Sequence, residues 1–306
     1  MRSNVHIPDG FLAAPVWASL DVAAVPAVGY LVRRAQRGFE ESRAPLLGVM
    51  GAFVFAAQMI NFPVGIGTSG HLVGGALLAL TLGPASAGVV MTAILAIQAL
   101  VFQDGGVLAL GANVTNMALC GVLAGYLPFH FWGNGPWRRF SFFLGGVLSV
   151  LASAVLALAQ LLLSGIRMPG SVLGLSLGLF AVSAVLEGLI TLTVVGALET
   201  LNPGFIRQAT AGHSRALGLL GTVAVALAVF GVLIASRDPD GIWKLAGSLG
   251  IAGRAQALLP TPLADYQVGF LQSPWLRRAA GGLAGLGLIF GACVLFGRLV
   301  SKSRSA

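Results

Sequence analysis

Residues 62–80 read FPVGIGTSGHLVGGALLAL and carry a single histidine in an otherwise apolar region. A loop rich in glycine, threonine and serine precedes His71, and a predicted apolar helix follows it. Imidazole is the commonest metal-binding side chain near neutral pH. An ionisable side chain at the edge of an apolar segment is a functional-site hypothesis by default. His71 is therefore the starting point for both the fold and the function.

The composition indicates a membrane protein. Of 306 residues, 57% are hydrophobic and only 9% are charged, whereas an ordinary soluble domain has about 25% charged residues. Apolar segments recur along the whole length, and about 18 or more consecutive apolar residues predict a membrane-spanning helix. We predict an all-α polytopic protein of the cytoplasmic (inner) membrane, a helical bundle of about nine spans.

The predicted spans form a seven-span body and a two-span tail. They cover residues 12–32, 45–61, 71–83, 85–102, 107–127, 141–165, 171–199, 214–235 and 279–300. The third segment is too short to cross a bilayer, and Gly83-Pro84 separates it from the fourth. We therefore expect these two to form a short hairpin buried within the bundle. A polar break at residues 202–215 predicts two domains, residues 1–205 and residues 206–306.

The positive charges indicate orientation in the membrane. The formal net charge is +8, which could suggest nucleic-acid binding, but the Lys and Arg residues lie in loops between apolar segments. Because such residues stay on the cytoplasmic side, their distribution puts the C-terminus in the cytoplasm and the N-terminus outside. His6 and the loop before His71 then share the outer face. We expect contact with membrane lipid and none with nucleic acid.

Several polar side chains are candidates for a set that supports the two histidines. They are Asn113, Asn116, Gln98, Asp104 and Ser69. Metal-binding histidines usually need hydrogen-bond partners that orient their rings. The alternative for the amides is an ordinary hydrogen bond between helices, which is frequent in membrane bundles. Both interpretations stay open for these residues.

Other features of the sequence predict structure and not chemistry. Glu187 and Asp21 lie within predicted spans, and we interpret both as structural. Cys120 and Cys293 give no disulfide framework or metal motif, so we expect them to be packing residues. The sequence has no GxxxxGK[ST] loop and no HExxH or GxSxG signature. We therefore predict a protein that is not an enzyme and has no ATPase activity of its own.

Four motifs, in order, resemble the CbiM/NikM family, the substrate-capture subunits of energy-coupling factor (ECF) transporters for cobalt and nickel. They are HIPDGFL (6–12), NFPVGIGTSGHLVGGAL (61–77), LGPASAGVVMTAILAIQALVFQDGG (82–106) and LGANVTNMALCGVLAGY (110–126). The tail, with DPDGIW (238–243) and LLPTPLADYQV (258–268), is similar to the small CbiN/NikN partner. In the family that partner is sometimes fused to the capture subunit.

The resemblance implies a ligand set and partners. In the family the chain begins Met-His, and the metal is held by the N-terminal amine, the backbone nitrogen of that histidine, its imidazole and a second histidine. The matching histidines here are His6 and His71. Four nitrogens in a plane suit Ni(II), and Co(II) can follow. The implied partners are a transmembrane coupling protein (EcfT/CbiQ/NikQ-like) and ATPase subunits (CbiO/NikO-like), with no resident cofactor.

The N-terminus departs from the family pattern. Four residues precede Val5-His6, so the amine of Met1 is not next to His6. We expect translation to begin at position 5, where a GTG-type valine codon would be read as methionine. If Met1 is the true start, the site must take a further ligand from residues 2–5.

Two other functions stay open on the sequence. A capture subunit for an organic vitamin would need an aromatic-lined pocket and would not depend on His71. An intramembrane metal-dependent hydrolase would need a third protein ligand and a general base near the histidines. Asp9 and Asp104 are the acidic candidates for that base.

Overall fold

A computed structural model describes residues 6–37, 41–65, 67–206, 214–258 and 261–302 of the protein. The described chain is mainly helical, which confirms the predicted fold class. Its helices are α1 (Ala14–Gln36), α2 (Ala44–Gln58), α3 (Gly75–Leu82), α4 (Pro84–Ile97), α5 (Leu110–Asn113), α6 (Val122–Trp132), α7 (Arg138–Leu163), α8 (Gly170–Leu201), α9 (Ser214–Ile234), α10 (Gly241–Ser248) and α11 (Pro274–Lys302). Two strands, β1 (Phe62–Gly65) and β2 (Thr68–Gly70), pair antiparallel between α2 and α3.

Seven helical segments of the described chain are long and apolar enough to cross a membrane. The sequence predicted about nine, because α2 and α3 are also apolar. However, α2 has 15 residues and α3 has 8, and crossing a bilayer takes about 20. Seven and nine are both odd, so the revised number of spans leaves the predicted orientation unchanged. The placement of the N-terminus outside and of the C-terminus in the cytoplasm stays a prediction.

The third predicted segment is a short buried helix, as expected, but its partner α4 belongs to a segment long enough to cross a membrane, so the pair is not a short hairpin. All eight residues of α3 are buried. The chain turns at Gly83, which has a φ of 80°, and Pro84 begins α4. Proline suits the first turn of a helix, where its missing N–H costs no hydrogen bond. Helices α3 and α4 then pack against each other inside the bundle.

Close contacts between helices depend on glycine. A Cβ atom added to Gly125 of α6 would lie 2.8 Å from the Cα of Ala76 in α3. One added to Gly146 of α7 would lie 2.7 Å from the Cα of Gly188 in α8. Small residues at such crossings let backbones approach, which is how membrane helices gain packing energy. Gly125 and Gly146 therefore pack against helices of the same chain.

The two C-terminal helices belong to the same bundle. Helices α9 and α11 pack against each other and against α2. Cys293 of α11 is buried and lies against Gly51 of α2, so it is a packing residue, as predicted. The short helix α2 is thus enclosed by protein. The predicted domain boundary stays a prediction, and residues 207–213 lie outside the described residues.

Most of the non-helical segments meet at one end of this bundle. They are residues 6–13, 59–74, 103–109, 235–240 and 261–273. Arg33 and Arg34 lie in the last turn of α1, at the opposite end. Two π-helical segments, Gln98–Phe102 and Val114–Gly121, lie close to this meeting point. Such segments are rare and occur often at functional sites.

Candidate metal site

A carboxylate and an amide fix the segment that carries His6. The Asp9 carboxylate accepts hydrogen bonds from the backbone N–H groups of residues 107–109, at 3.0, 2.8 and 3.1 Å. The Asn113 side chain accepts from the N–H of Ile7 at 3.1 Å and donates to its carbonyl at 3.0 Å. Irregular backbone at the end of a membrane bundle needs partners within the protein. These bonds hold His6 in one position.

Glu187 of α8 fixes the segment that carries His71. Its side chain is fully buried, and its two oxygens accept from the N–H groups of Val73 at 2.8 Å and Gly74 at 2.7 Å. Gly74 has a φ of 78°, a left-handed conformation that glycine adopts without strain. The sequence assigned Glu187 a structural role. The structure shows that this role includes the placement of His71.

The two histidine rings lie beside each other at one cavity, with ring centroids 6.1 Å apart. The Nδ1 atom of His6 lies 3.2 Å from Oδ1 of Asp104, and Nδ1 of His71 lies 2.9 Å from the carbonyl oxygen of Leu72. Both oxygens accept, so we assign Nδ1 of each ring as the hydrogen-bond donor, which leaves Nε2 as the atom that can bind a ligand. The Nε2 atom of His6 is buried and has no hydrogen-bond partner in the described part of the chain.

A buried hydrogen-bond network joins the two histidine segments to the tail. The Tyr266 hydroxyl donates to Oδ2 of Asp104 at 2.6 Å and accepts from Nε2 of Gln98 at 3.3 Å. The same Gln98 nitrogen donates to Oε1 of Gln58 at 3.0 Å. Gln58 in turn donates to the carbonyl of Val73 at 2.8 Å. Asp104 and Gln98 therefore hold positions that could support the histidines.

Two of the predicted supporting residues are bonded elsewhere. Asn116 and Gln160 form two side-chain hydrogen bonds of 2.9 and 2.6 Å. For Asn116, the alternative interpretation of an ordinary hydrogen bond between helices is therefore the one observed. The N–H of Ser69 donates to the carbonyl of Pro239 at 2.9 Å, and its hydroxyl donates to that of Asp238 at 2.7 Å. No described hydrogen bond joins Asn116 or Ser69 to a histidine. Both residues nevertheless line the cavity.

The sequence suggested that the tail helps to load the metal or to hold the N-terminus in place, but it did not single out the residues involved. Asp240 lines the same cavity as both histidines, and its carboxylate caps α10 by accepting from the N–H of Trp243 at 2.8 Å. Tyr266 reaches Asp104 from the segment before α11. The signal was present in the motifs DPDGIW and LLPTPLADYQV, which contain these residues. Nothing in the sequence indicated which part of the body they contact.

The cavity beside the rings has a volume of about 80 Å³. This is room for an ion and several waters, since a cavity needs about 10–15 Å³ by this measure to hold one water. No group of three or more His, Cys, Asp or Glu side chains in the described residues is arranged to hold a metal. His6 and His71 therefore supply two imidazole nitrogens. The predicted ligand Met1 lies outside the described residues.

Comparison with known families identifies the chain. A profile described as the cobalt uptake substrate-specific transmembrane region, CbiM, matches residues 6–205. The chain belongs to the CbiM family. The match begins at His6 and includes His71 and every helix from α1 to α8.

Relatives of this CbiM-family protein are metal transport proteins. A putative fused nickel transport protein, NikMN, of Archaeoglobus fulgidus is 32% identical over 291 residues, which cover 92% of this chain and 94% of that protein. A putative metal transport protein of Haloquadratum walsbyi is 37% identical over 203 residues, or 66% of this chain and 93% of that one. A crystal structure of a truncated transition metal transporter matches with a TM-score of 0.56 at 31% identity, covering 64% of this chain and 98% of that chain. The chain is thus a multi-pass cell-membrane protein of a metal transport family.

Burial sets the protonation of this CbiM-family site. Desolvation, and then the neighbouring His6, lowers the pKa of His71 to about 4. Its imidazole is therefore neutral at pH 7, and the neutral form is the one that binds metal. Burial, followed by the charge of Asp104, raises the pKa of Tyr266 well above its ordinary value of 10.0. Tyr266 thus keeps the proton that it donates. Burial also raises the pKa of Asp240 to about 8.

The contacts of Glu187 generate the first prediction. Glu187→Ala leaves the N–H groups of Val73 and Gly74 buried without acceptors, at a cost of about 1–3 kcal/mol each. We expect a lower thermal stability in detergent and a loss of metal binding, because the His71 segment is no longer fixed. The matched control is Glu199→Ala on the same helix, which removes a half-exposed ion pair with Arg138 and should have little effect. Equal effects of the two substitutions would contradict this role.

The pKa of His71 generates the second prediction. Its ordinary value is 6.5 and its folded value is about 4, so between these values the unfolded chain binds a proton that the folded chain does not. The metal-free protein should therefore lose stability as the pH falls through this window. His71→Gln removes this contribution, and thermal unfolding at several pH values should show a shallower loss of stability. Identical slopes for wild type and variant would show that His71 is not buried in its neutral form.

Proposed function

We propose that this chain is the substrate-capture subunit of an ECF-type transporter that imports Ni(II) or Co(II), with the ion as substrate bound at the outer face. One observation supports the proposal above all: two imidazoles lie at one small cavity, and Nδ1 of each is hydrogen-bonded to an oxygen. That arrangement orients Nε2 as a metal ligand, in the way that outer-shell partners usually do. Imidazole nitrogens suit nickel and cobalt as well as zinc and copper.

The remaining ligands are proposed to come from the N-terminal segment. Two imidazole nitrogens leave two positions of a planar four-nitrogen site to be filled. The hydrogen bonds of Asp9 and Asn113 hold residues 7–9 in place, so the chain on the N-terminal side of His6 starts at the cavity. A terminal amine and a backbone nitrogen there would complete the set that the family resemblance implies. The amine would belong to Met1, or to a methionine at position 5.

The size and composition of the cavity favour this function over the alternatives. Pockets for organic ligands commonly measure about 300–1,000 Å³, whereas this one measures about 80 Å³. That difference disfavours an organic vitamin. A metal-dependent hydrolase needs three protein ligands, and the described side chains offer no such group.

Transport by this subunit would need energy from other proteins. The sequence has no nucleotide-binding GxxxxGK[ST] loop. We propose that a transmembrane coupling protein (EcfT/CbiQ/NikQ-like) and ATPase subunits (CbiO/NikO-like) supply that energy. The capture domain would comprise residues 1–205, and residues 206–306 would form a CbiN/NikN-like accessory domain. The profile match to residues 6–205 supports this division.

We also propose a role for the accessory domain: it positions His6 through Asp104. The Tyr266 hydroxyl donates to one oxygen of Asp104, and the other oxygen faces Nδ1 of His6. The Tyr266 ring stacks on Phe102 with centroids 4.7 Å apart, which keeps its hydroxyl in place. A further contact lies on the other side of the site, where residues 238–239 accept hydrogen bonds from Ser69.

The proposed capture site predicts metal binding that depends on both histidines. After exposure to equal nickel and cobalt, we expect near-stoichiometric metal by elemental analysis on a chain that starts with Met in place of Val5. His71→Ala should abolish this metal content, because it removes one of two imidazole ligands. His130→Ala, on α6 at the opposite end of the bundle, is the matched control and should retain the metal. The chain with residues 1–4 present tests the N-terminal ligand, and we expect it to bind less metal.

Other results of that experiment would have definite meanings. Equal loading of the long and short chains would show that the terminal amine is not a ligand. Metal on neither chain would overturn the nickel or cobalt proposal. Metal retained by His71→Ala would place the site elsewhere.

The role of the accessory domain predicts a separable effect of Tyr266→Phe. The ring and its stacking remain, but Asp104 loses one hydrogen bond and holds His6 less firmly. We expect nickel affinity to fall by about tenfold, with a shifted visible absorption band of the bound Ni(II) and little change in thermal stability. Tyr126→Phe, which lies beside Phe129 and His130, is the matched control. An unchanged spectrum and affinity would limit Tyr266 to packing.

A further inference from the structure

A second, larger cavity lies between α2, α9 and α11, at the same end of the bundle as the metal site. Its volume is about 580 Å³. The ends of α2 and α9 and the start of α11 form its walls, and Tyr266, which donates to Asp104, also lines it. No part of the proposed capture mechanism uses this space.

Three arginines give the larger cavity a positive charge. Arg237, Arg277 and Arg278 line it, and Asp265 is the one acidic residue of its described lining. The Nε atom of Arg277 is buried without a hydrogen-bond partner in the described part of the chain. Neither of the two ion pairs found among the described residues involves these arginines. A guanidinium with a buried and unpaired N–H is unfavourable, so the cavity is suited to an anion.

The rim of the cavity is apolar and exposed. Leu233 and Ile234, in the last turn of α9, are 66% and 75% exposed, and Trp275 and Leu276 in the first turn of α11 are also exposed. The Trp275 ring stacks on Phe230 of α9, with centroids 6.5 Å apart. Tryptophan at the ends of spanning helices marks the level of the lipid head groups, and long arginine side chains near helix ends extend to the same interface. The cavity therefore opens where a phosphate and an acyl chain occur together.

We propose that this cavity binds the phosphate of an anionic phospholipid from the outer leaflet. The guanidinium groups of Arg237 and Arg277 would donate to the phosphate oxygens, a geometry for which arginine is well suited. The acyl chains would lie against the exposed apolar side chains of α9 and α11. A soluble phosphate could use the same charges but not this apolar rim.

Native mass spectrometry of the full, delipidated chain in detergent tests this proposal. The probes are phosphatidylglycerol, zwitterionic phosphatidylcholine and inorganic phosphate, each titrated separately. We expect phosphatidylglycerol to bind most tightly, with an affinity that falls by about tenfold or more in the double variant Arg237→Gln, Arg277→Gln. The matched control is Arg167→Gln, an exposed arginine between α7 and α8 at the same end of the bundle, and it should bind like wild type.

Each other outcome bears on the proposal. Equal binding of the two lipids, an unchanged affinity of the double variant, or an equal loss in Arg167→Gln would overturn it. Tight binding of inorganic phosphate that phosphatidylglycerol does not displace would assign the cavity to a soluble anion instead. If the double variant does not fold, Arg277→Lys retains the charge without the planar fork, and we expect it to weaken phosphatidylglycerol binding. Because this readout uses no metal, its result is independent of the capture function.

Discussion

Irregular backbone at the end of a membrane bundle must find its hydrogen-bond partners inside the protein, and this constraint organises the structure. Three carboxylates supply the hydrogen-bond acceptors that this constraint requires. Asp9 accepts from residues 107–109, Glu187 accepts from residues 73–74, and Asp21 of α1 accepts from the N–H of Gly111 at 2.6 Å. Without them, several N–H groups would be buried and unpaired, at a cost that a few contacts could not offset. The same bonds bring the two histidine segments together.

The proposed site combines few ligands with a well-supported environment. Each imidazole has its Nδ1 committed to an oxygen, and burial keeps His71 neutral. A neutral, oriented ring is ready to bind a divalent ion without first losing a proton. The buried Nε2 of His6, with no partner among the described residues, is the kind of polar atom that a ligand would satisfy. Stability and the proposed metal capture would thus depend on the same hydrogen bonds.

The C-terminal helices do more than add two spans. They enclose the short helix α2, and the segments that flank them contact both histidine segments. Gly10 shows how close this contact is: it has a φ of 90°, and any Cβ there would overlap the backbone of Arg254. Fusion of the C-terminal segments to the rest of the chain would raise their effective concentration at this contact, because contacts between linked segments form intramolecularly. Tyr266 lines the arginine-lined cavity and donates to Asp104, which contacts His6, so the C-terminal part of the chain contributes to the surroundings of both cavities.

The sequence by itself determined the membrane class and the apolar segments, and it singled out His6 and His71 as candidate ligands, because hydropathy and rare ionisable residues are local signals. It also predicted that the third apolar segment is short and buried, since its length and the Gly83-Pro84 pair are readable from the chain. The tertiary structure alone decided which amides support the site. Asn113 binds the His6 segment while Asn116 pairs with Gln160, although the two stand on one helical face. It likewise decided that Glu187, Asp240 and Tyr266 meet around the histidines, because contacts between residues about 100 or more positions apart follow from helix packing and leave no periodic pattern in the sequence.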